Sequence, residues 1–395
     1  MSLMDRRQML KLMASLGAAG LTGACGWGEG DDEAERSEPI KIGLIAPQTG
    51  GYKPIGEEMI NGFQLYLDLT NHRLGGHPVD VIVEDEGDSA QSGRAAFERL
   101  IKEDVLAITG VASSEVMLSI RDAVEQARVP LLGSNASPRN LQGVLYIWRT
   151  SYINDEPGRA MGTFVKRQLR RSERVSLSAL DYTGGRDSIQ GFLDAFGSDS
   201  RLSLPVVWAP FTTNPPRGAF RATVQQLLAQ DPQAIYCFYA GAAAIEFLRE
   251  LRSAGYRGRI YGPGFLTEGS VLDALGELAE GVMTAMNYSA DLDNAINMRF
   301  ATNYRKKHGS SPTTYAMASF DAALVLDRAI RLTKNDLTPQ QLNLALGKIG
   351  LIESPRGTWY FNQSRTPQQS WYLREVRHDG TTFGNVTISE LTTLG

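Results

Sequence analysis

From Ile40 onward, short apolar strands alternate with amphipathic helices, and the rhythm restarts once. No other feature of the chain restricts its fold as strongly. Residues 40–45 form a largely apolar segment of strand length, and 57–71 carry Ile60, Phe63 and Leu67 at helical spacing. The pair recurs as 79–83 with 90–103, then as 105–109 with 114–127, before a strand at 129–133. After Asp155-Glu156-Pro157-Gly158 it begins again, with helix 159–170, strand 175–180, helix 188–196 and strand 206–209. Helix 220–229, strand 234–239, helix 242–253 and strand 259–262 complete this second run. A strand at 281–288, helices at 295–308 and 314–332, and short strands at 357–361 and 371–376 follow. Repeated β-α-β alternation builds parallel sheets covered by helices. Because elements follow both runs, the expectation is an α/β protein of two lobes, with a chain that crosses between them more than once.

The 395 residues suffice for two or three domains, and 42% apolar with 21% charged residues is ordinary for a globular chain. The head is less ordinary. Arg6-Arg7, a short apolar stretch to Gly20 and small residues before Cys25 describe an export signal over 1–24. Asp5-Arg6-Arg7-Gln8-Met9-Leu10-Lys11 resembles a twin-arginine export motif, and Gly23-Ala24-Cys25 the end of a bacterial lipobox, although Thr22 stands where an aliphatic residue is usual. The location expected is the periplasm or outer face of the cytoplasmic membrane, with Cys25 lipidated and 25–39 as an acidic tether. No later segment is long and apolar enough to span a bilayer. The formal charge of −4 becomes about −6 once 1–24 is removed, which argues against nucleic acid. With Cys25 acylated, Cys237 is alone; its strand-like setting reads as a buried small hydrophobe.

The four histidines lack zinc-ligand spacing, and neither a GxSxG elbow nor a GxxxxGK loop occurs. Gly262-Pro263-Gly264 reads as a strand-end turn. No catalytic residue, metal or cofactor is expected. Two loops stand out instead. Gly110-Val111-Ala112-Ser113-Ser114 joins a strand to a helix N-terminus, an end suited to a carboxylate. Gly133-Ser134-Asn135-Ala136-Ser137-Pro138 ends the next parallel strand on the same sheet edge, where open α/β sheets bind ligands. Alone, Ser114 could simply cap its helix and Ser137 a turn. Together they point to a binding site.

At these loops the chain resembles the branched-chain amino-acid type of periplasmic binding protein, the type I solute-binding receptors of ABC importers. The likeness runs from Ile40 to about Val376. It rests on 42–51 with Ile55-Gly56, the two loops, Trp148-Arg149-Thr150, Ala254-Gly255-Tyr256, Ala279-Glu280-Gly281-Val282, Pro312-Thr313 and Phe320-Asp321-Ala322. The resemblance implies two Rossmann-like lobes joined by three crossovers, lobe one at 40–152 with 288–355 and lobe two at 153–287 with 356–395. It implies ligand contacts from Ser113, Ser114, Ala136 and Ser137, from Tyr52 and Ile55 on the side-chain end, and from Tyr182, Tyr239 and Phe265 on lobe two. It further implies a non-catalytic receptor that closes over an amino acid or other small carboxylate and docks on an ABC permease; a ligand sensor of the same fold is the alternative. Gly264 stands where amino-acid binders commonly place a glutamate for the ligand ammonium, and Asp181 and Glu268 are the acids left to replace it. An aromatic or other acid without an amine answers that departure, and Gly264→Glu is then expected to favour amino acids.

Overall fold

The computed structural model describes residues 38–395 except 142, 334, 335 and 379. The expected export signal, Cys25 and the tether as far as residue 37 lie outside the described residues.

Two sheets organise the body. The first holds β1 (Ile40–Ala46), β2 (Arg73–Leu74), β3 (His77–Asp85), β4 (Ala107–Gly110), β5 (Leu131–Gly133) and β6 (Ile147–Arg149), in the order β2-β3-β1-β4-β5-β6. All pairs are parallel except β2 with β3. The second holds β7 (Val175–Leu180), β8 (Val207–Ala209), β9 (Ala234–Phe238), β10 (Arg259–Pro263), β11 (Met283–Met286), β12 (Ile352–Ser354), β13 (Gly357–Phe361), β14 (Pro367–His378) and β15 (Phe383–Leu394). Its order is β12-β13-β14-β11-β10-β9-β7-β8, with β15 on β14; the pairs among β7 to β11 are parallel and the rest antiparallel. The α/β architecture read from the sequence is therefore the observed one.

The helices are α1 (Lys53–Leu69), α2 (Ala90–Lys102), α3 (Ser114–Ala127), α4 (Glu156–Gln168), α5 (Thr183–Phe196), α6 (Arg221–Leu228), α7 (Gly241–Ser253), α8 (Ser270–Leu275), α9 (Ala295–His308), α10 (Thr314–Thr333) and α11 (Pro339–Leu346). Parallel strands with helices on both faces read as continuous apolar runs, and β1 is buried from Ile42 to Ala46 accordingly. α1 starts four residues before the expected place because Pro54 suits a helix's first turn. α4 likewise starts three residues early, with Pro157 in its first turn. α1 packs on α10 at Gly62, where a Cβ would stand 2.0 Å from the Ala316 carbonyl oxygen. β2, β6, α8, α11, β12 and β15 are additions to the expected elements.

Three passages between the bodies meet in one buried polar knot. The Ser151 carbonyl accepts from Arg356 Nη1 at 3.1 Å, Asn287 Nδ2 at 2.9 Å and Gln369 Nε2 at 2.9 Å. Arg356 also grips the Asp321 carboxylate, at 2.9 Å from Nε and 2.7 Å from Nη2, and donates to the Thr150 carbonyl. Arg356 lies in the turn joining β12 to β13. That hairpin keeps company with the first sheet, Phe361 packing edge-on against Trp148 at 4.9 Å and the Arg365 carbonyl accepting from Arg149 N–H. The last passage to the second sheet thus runs along β14, beyond residue 355.

Candidate functional site

In the first sheet the strand order reverses around β1, and ligand crevices form beyond the carboxyl ends of strands at such a reversal. Those ends meet their counterparts from the second sheet around a narrow cavity. Tyr52 and Ile55 follow β1; Ala112, Ser113 and Ser114 follow β4; Asn135 and Ala136 follow β5. Tyr152 and Asn154 come from the first passage, and Tyr182 and Gly184 from the start of α5. Phe238, Ala240, Phe265 and Tyr315 complete the lining.

The loop after β4 turns sharply. Val111, although β-branched, sits at φ +66°, a strained conformation of the kind that gathers at functional sites. Its N–H bonds to Ile45 O at 2.8 Å and its carbonyl accepts Ala136 N–H at 2.9 Å, which hold the turn. The turn presents two amides in succession, and both are taken by Glu86: Ala112 N–H and Ser113 N–H each donate to its carboxylate at 2.7 Å. Glu86 thereby fixes the turn that leads into α3, where the Ser113 side chain makes no capping bond. Burial raises the Glu86 carboxyl to about 8, against the lowering effect of those two amides. Ser114 is buried; its Oγ accepts from Asn154 Nδ2 at 3.0 Å, which leaves the hydroxyl proton to donate.

The rest of the cavity is aromatic. Phe265 packs at 5.4 Å from Tyr152, 5.8 Å from Tyr315 and 5.9 Å from Phe238. The hydroxyls of Tyr52 and Tyr182 face one another across the cleft. Burial pushes the pKa of Tyr52, Tyr152, Tyr182 and Tyr315 upward, so all four stay protonated as neutral hydrogen-bonding groups. At the rim, Glu115 Oε1 accepts the Thr183 N–H at 3.1 Å and its hydroxyl at 2.7 Å, tying α3 to the start of α5. Thr213 Oγ1 donates to Asp88 at 3.2 Å nearby.

Of the residues expected here, Ser113, Ser114, Ala136, Tyr52, Ile55, Tyr182 and Phe265 are brought together. Ser137 and Tyr239 do not line the cavity. Ser137 is fully buried; its N–H reaches Asn154 Oδ1 at 3.3 Å, and its hydroxyl has no partner among the described residues. Tyr239 points the other way because side chains alternate along a strand: Phe238 and Ala240 face the cavity, while Tyr239 stacks on Phe247 at 3.9 Å and meets Ser178 Oγ at 2.8 Å. Neither acid proposed for a ligand ammonium reaches it. Glu268 is buried against Arg374 at 2.6 Å and Thr314 N–H at 2.9 Å, and Asp181 pairs with Arg186 at 2.6 Å. Among the described residues, no aspartate or glutamate lines the cavity. Sequence reasoning missed Tyr152, Asn154, Tyr315 and Glu86; Tyr315 lies more than 130 residues beyond the loops, and no local pattern links it to them.

A profile for periplasmic binding proteins matches residues 39–381. The chain belongs to the periplasmic binding proteins. Within them it stands in the type I, branched-chain amino-acid group, as the resemblance implied. This periplasmic binding protein is 26% identical over 363 residues to Leu/Ile/Val-binding protein homolog 6 of Brucella melitensis, covering 88% of this chain and 90% of that one. Among solved structures, a solute-binding protein of an ABC transporter from R. palustris in complex with benzoate is 25% identical, with a TM-score of 0.81 over 90% of this chain and 97% of that one. A leucine-binding protein from Thermotoga maritima, 22% identical, shares the fold at a TM-score of 0.79 over 89% and 99%.

Proposed function

We propose that this periplasmic binding protein captures a small aromatic acid that carries no amine, and delivers it to an ABC permease. The observation that carries the reading is the lining itself. Four neutral tyrosines and two phenylalanines surround the cavity, and no acidic residue among those described faces it. A buried ammonium without a carboxylate would be costly, whereas a benzoate ring gains from aromatic burial. The acid group is held by the Ser114 hydroxyl and N–H at the start of α3, with the Ser113 hydroxyl beside it. The benzoate bound by the R. palustris relative is of the same class. Closure of the two lobes excludes water, and the Glu115–Thr183 contact fastens it. Export by the twin-arginine route and a lipid on Cys25 would keep the receptor beside its permease.

The deciding experiment is a thermal-shift screen of the protein after unfolding and refolding to strip carried ligand. Benzoate, its hydroxylated forms, aliphatic and aromatic amino acids and the matching amides make up the panel. A ligand at about 100 times its Kd adds roughly 2.7 kcal/mol. Shifts with aromatic acids and none with amino acids are expected. Shifts confined to amino acids would overturn the reading.

A further inference from the structure

One carboxylate takes no part in the capture described above, although it touches the residues that perform it. Glu86 is 1% exposed and occupies the two amides that precede the first turn of α3. The groups that bear on it are Asp85 beside it in the chain and the Tyr52 hydroxyl from the start of α1, with Asp88 beyond Tyr52. From α2, the Ser92 hydroxyl donates to the Glu86 backbone carbonyl. Glu115, in the first turn of α3, turns its carboxylate to Thr183. The charge that bears most on Glu86 is that of Asp85, which opposes its ionisation.

An acid held at Ser114 brings a second carboxylate one residue further along the same turn. Two carboxylates on one buried turn repel each other, and uptake of a proton by one of them relieves the repulsion. We infer that Glu86 makes the capture of an anionic acid proton-linked: the anion enters when Glu86 is protonated, and ionised Glu86 excludes it. This inference rests on the aromatic-acid reading given above. Glu86 then sets the choice between an acid and its uncharged amide, because the amide meets no such repulsion. Burial holds the Glu86 proton up to about pH 8. Affinity for the anion is therefore level below that pH and falls by about tenfold per pH unit above it.

The test is titration calorimetry of the stripped protein with benzoate and with benzamide, at about pH 6 and about pH 9, in paired buffers of different ionisation enthalpy. The buffer dependence counts protons. Benzoate should take up close to one proton at the higher pH and almost none at the lower. Benzamide should take up none at either. Glu156, a second buried carboxyl that burial raises to about 8 and whose charge reaches the cavity-lining Tyr152, is separated by Glu156→Gln, which should leave the proton uptake with benzoate unchanged. Glu86→Gln should bind benzoate equally at both pH values; should that variant fail to fold, the proton count on the unaltered protein decides. Benzoate binding without proton uptake at the higher pH, or equal uptake with benzamide, overturns the role of Glu86 and leaves the ligand class standing. Absence of binding by benzoate and its hydroxylated forms at both pH values overturns the aromatic-acid reading and this inference with it.

Discussion

Arg356→Met should cost the protein about 3–5 kcal/mol, the usual penalty for leaving one partner of a buried ion pair alone. Asp321 is fully buried, and both of its short contacts to Arg356 come from the guanidinium that also serves the Thr150 and Ser151 carbonyls. Methionine fills the space over the Trp359 ring, 4.6 Å from the guanidinium carbon in the native chain, and so limits any cavity contribution. A body of this size moves its Tm by about 2 °C per kcal/mol, so a drop of roughly 6–10 °C is expected. Urea unfolding followed by tryptophan fluorescence gives the free energy directly. The pH dependence supplies a second check. Burial already raises Asp321 and Arg356 opposes that rise, so removing Arg356 lifts the carboxyl further. A group raised in the folded state contributes stability below its unfolded value, about 3.9, and loses it as pH climbs through the folded value. The native carboxyl is itself raised, so the deficit of the variant should begin to widen once pH climbs past the native folded value, above about 3.9, and should level off past the higher value in the variant. Pairing it with Asp321→Leu should recover most of the loss, since a buried ion pair replaced by apolar groups is often neutral. A deficit under about 1 kcal/mol, or one that does not vary with pH, would refute the argument that this pair is desolvated.

Further outcomes follow from the cleft. Ser114→Ala should weaken benzoate binding by about 1–3 kcal/mol in calorimetry with the fold intact, because a desolvated acid loses its hydroxyl donor. Glu115→Gln keeps the size of the side chain but weakens the charge-assisted grip on Thr183. It should speed benzoate release by roughly 3- to 10-fold in stopped-flow measurements, with little change in association. Gly264→Glu should lower the urea midpoint and give no amino-acid binding, reversing the expectation from sequence. A Cβ there would stand 2.4 Å from Arg374 Nη2, which Glu268 holds in place, and 2.8 Å from Met286 Cγ.

Much of this architecture was legible because central parallel strands such as 40–45, 175–180 and 234–239 are mostly apolar, and the helices between them carry regular apolar faces. β15 was not legible: its Thr, Ser and Glu residues are largely half-buried or exposed, so no burial period marks it. α5 was placed late because Gly184-Gly185 reads as a loop; a Cβ at Gly185 would stand 2.1 Å from the Leu180 carbonyl oxygen, so the pair belongs to a helix pressed against its own strand. The two cavity-lining loops after β4 and β5 were readable from hydroxyls and glycines at strand ends. Tyr239 was misplaced by one residue, which on a strand means the opposite face. Glu86 hid in the run Glu84-Asp85-Glu86-Gly87-Asp88, where acidic composition suggests a solvated loop. Only the fold of that segment shows that the middle carboxylate turns inward.

Cys237 lies wholly inside β9, and burial pushes its thiol far above the range in which it would react. The body from Glu38 onward therefore offers no native sulfur to a maleimide dye. A cysteine placed at Thr213, opposite Asp88 on the far lip, would be the sole point of attachment. A fluorophore there would sit where the two lips part, so solute capture could be read as a change in emission without first stripping the chain of its own thiol.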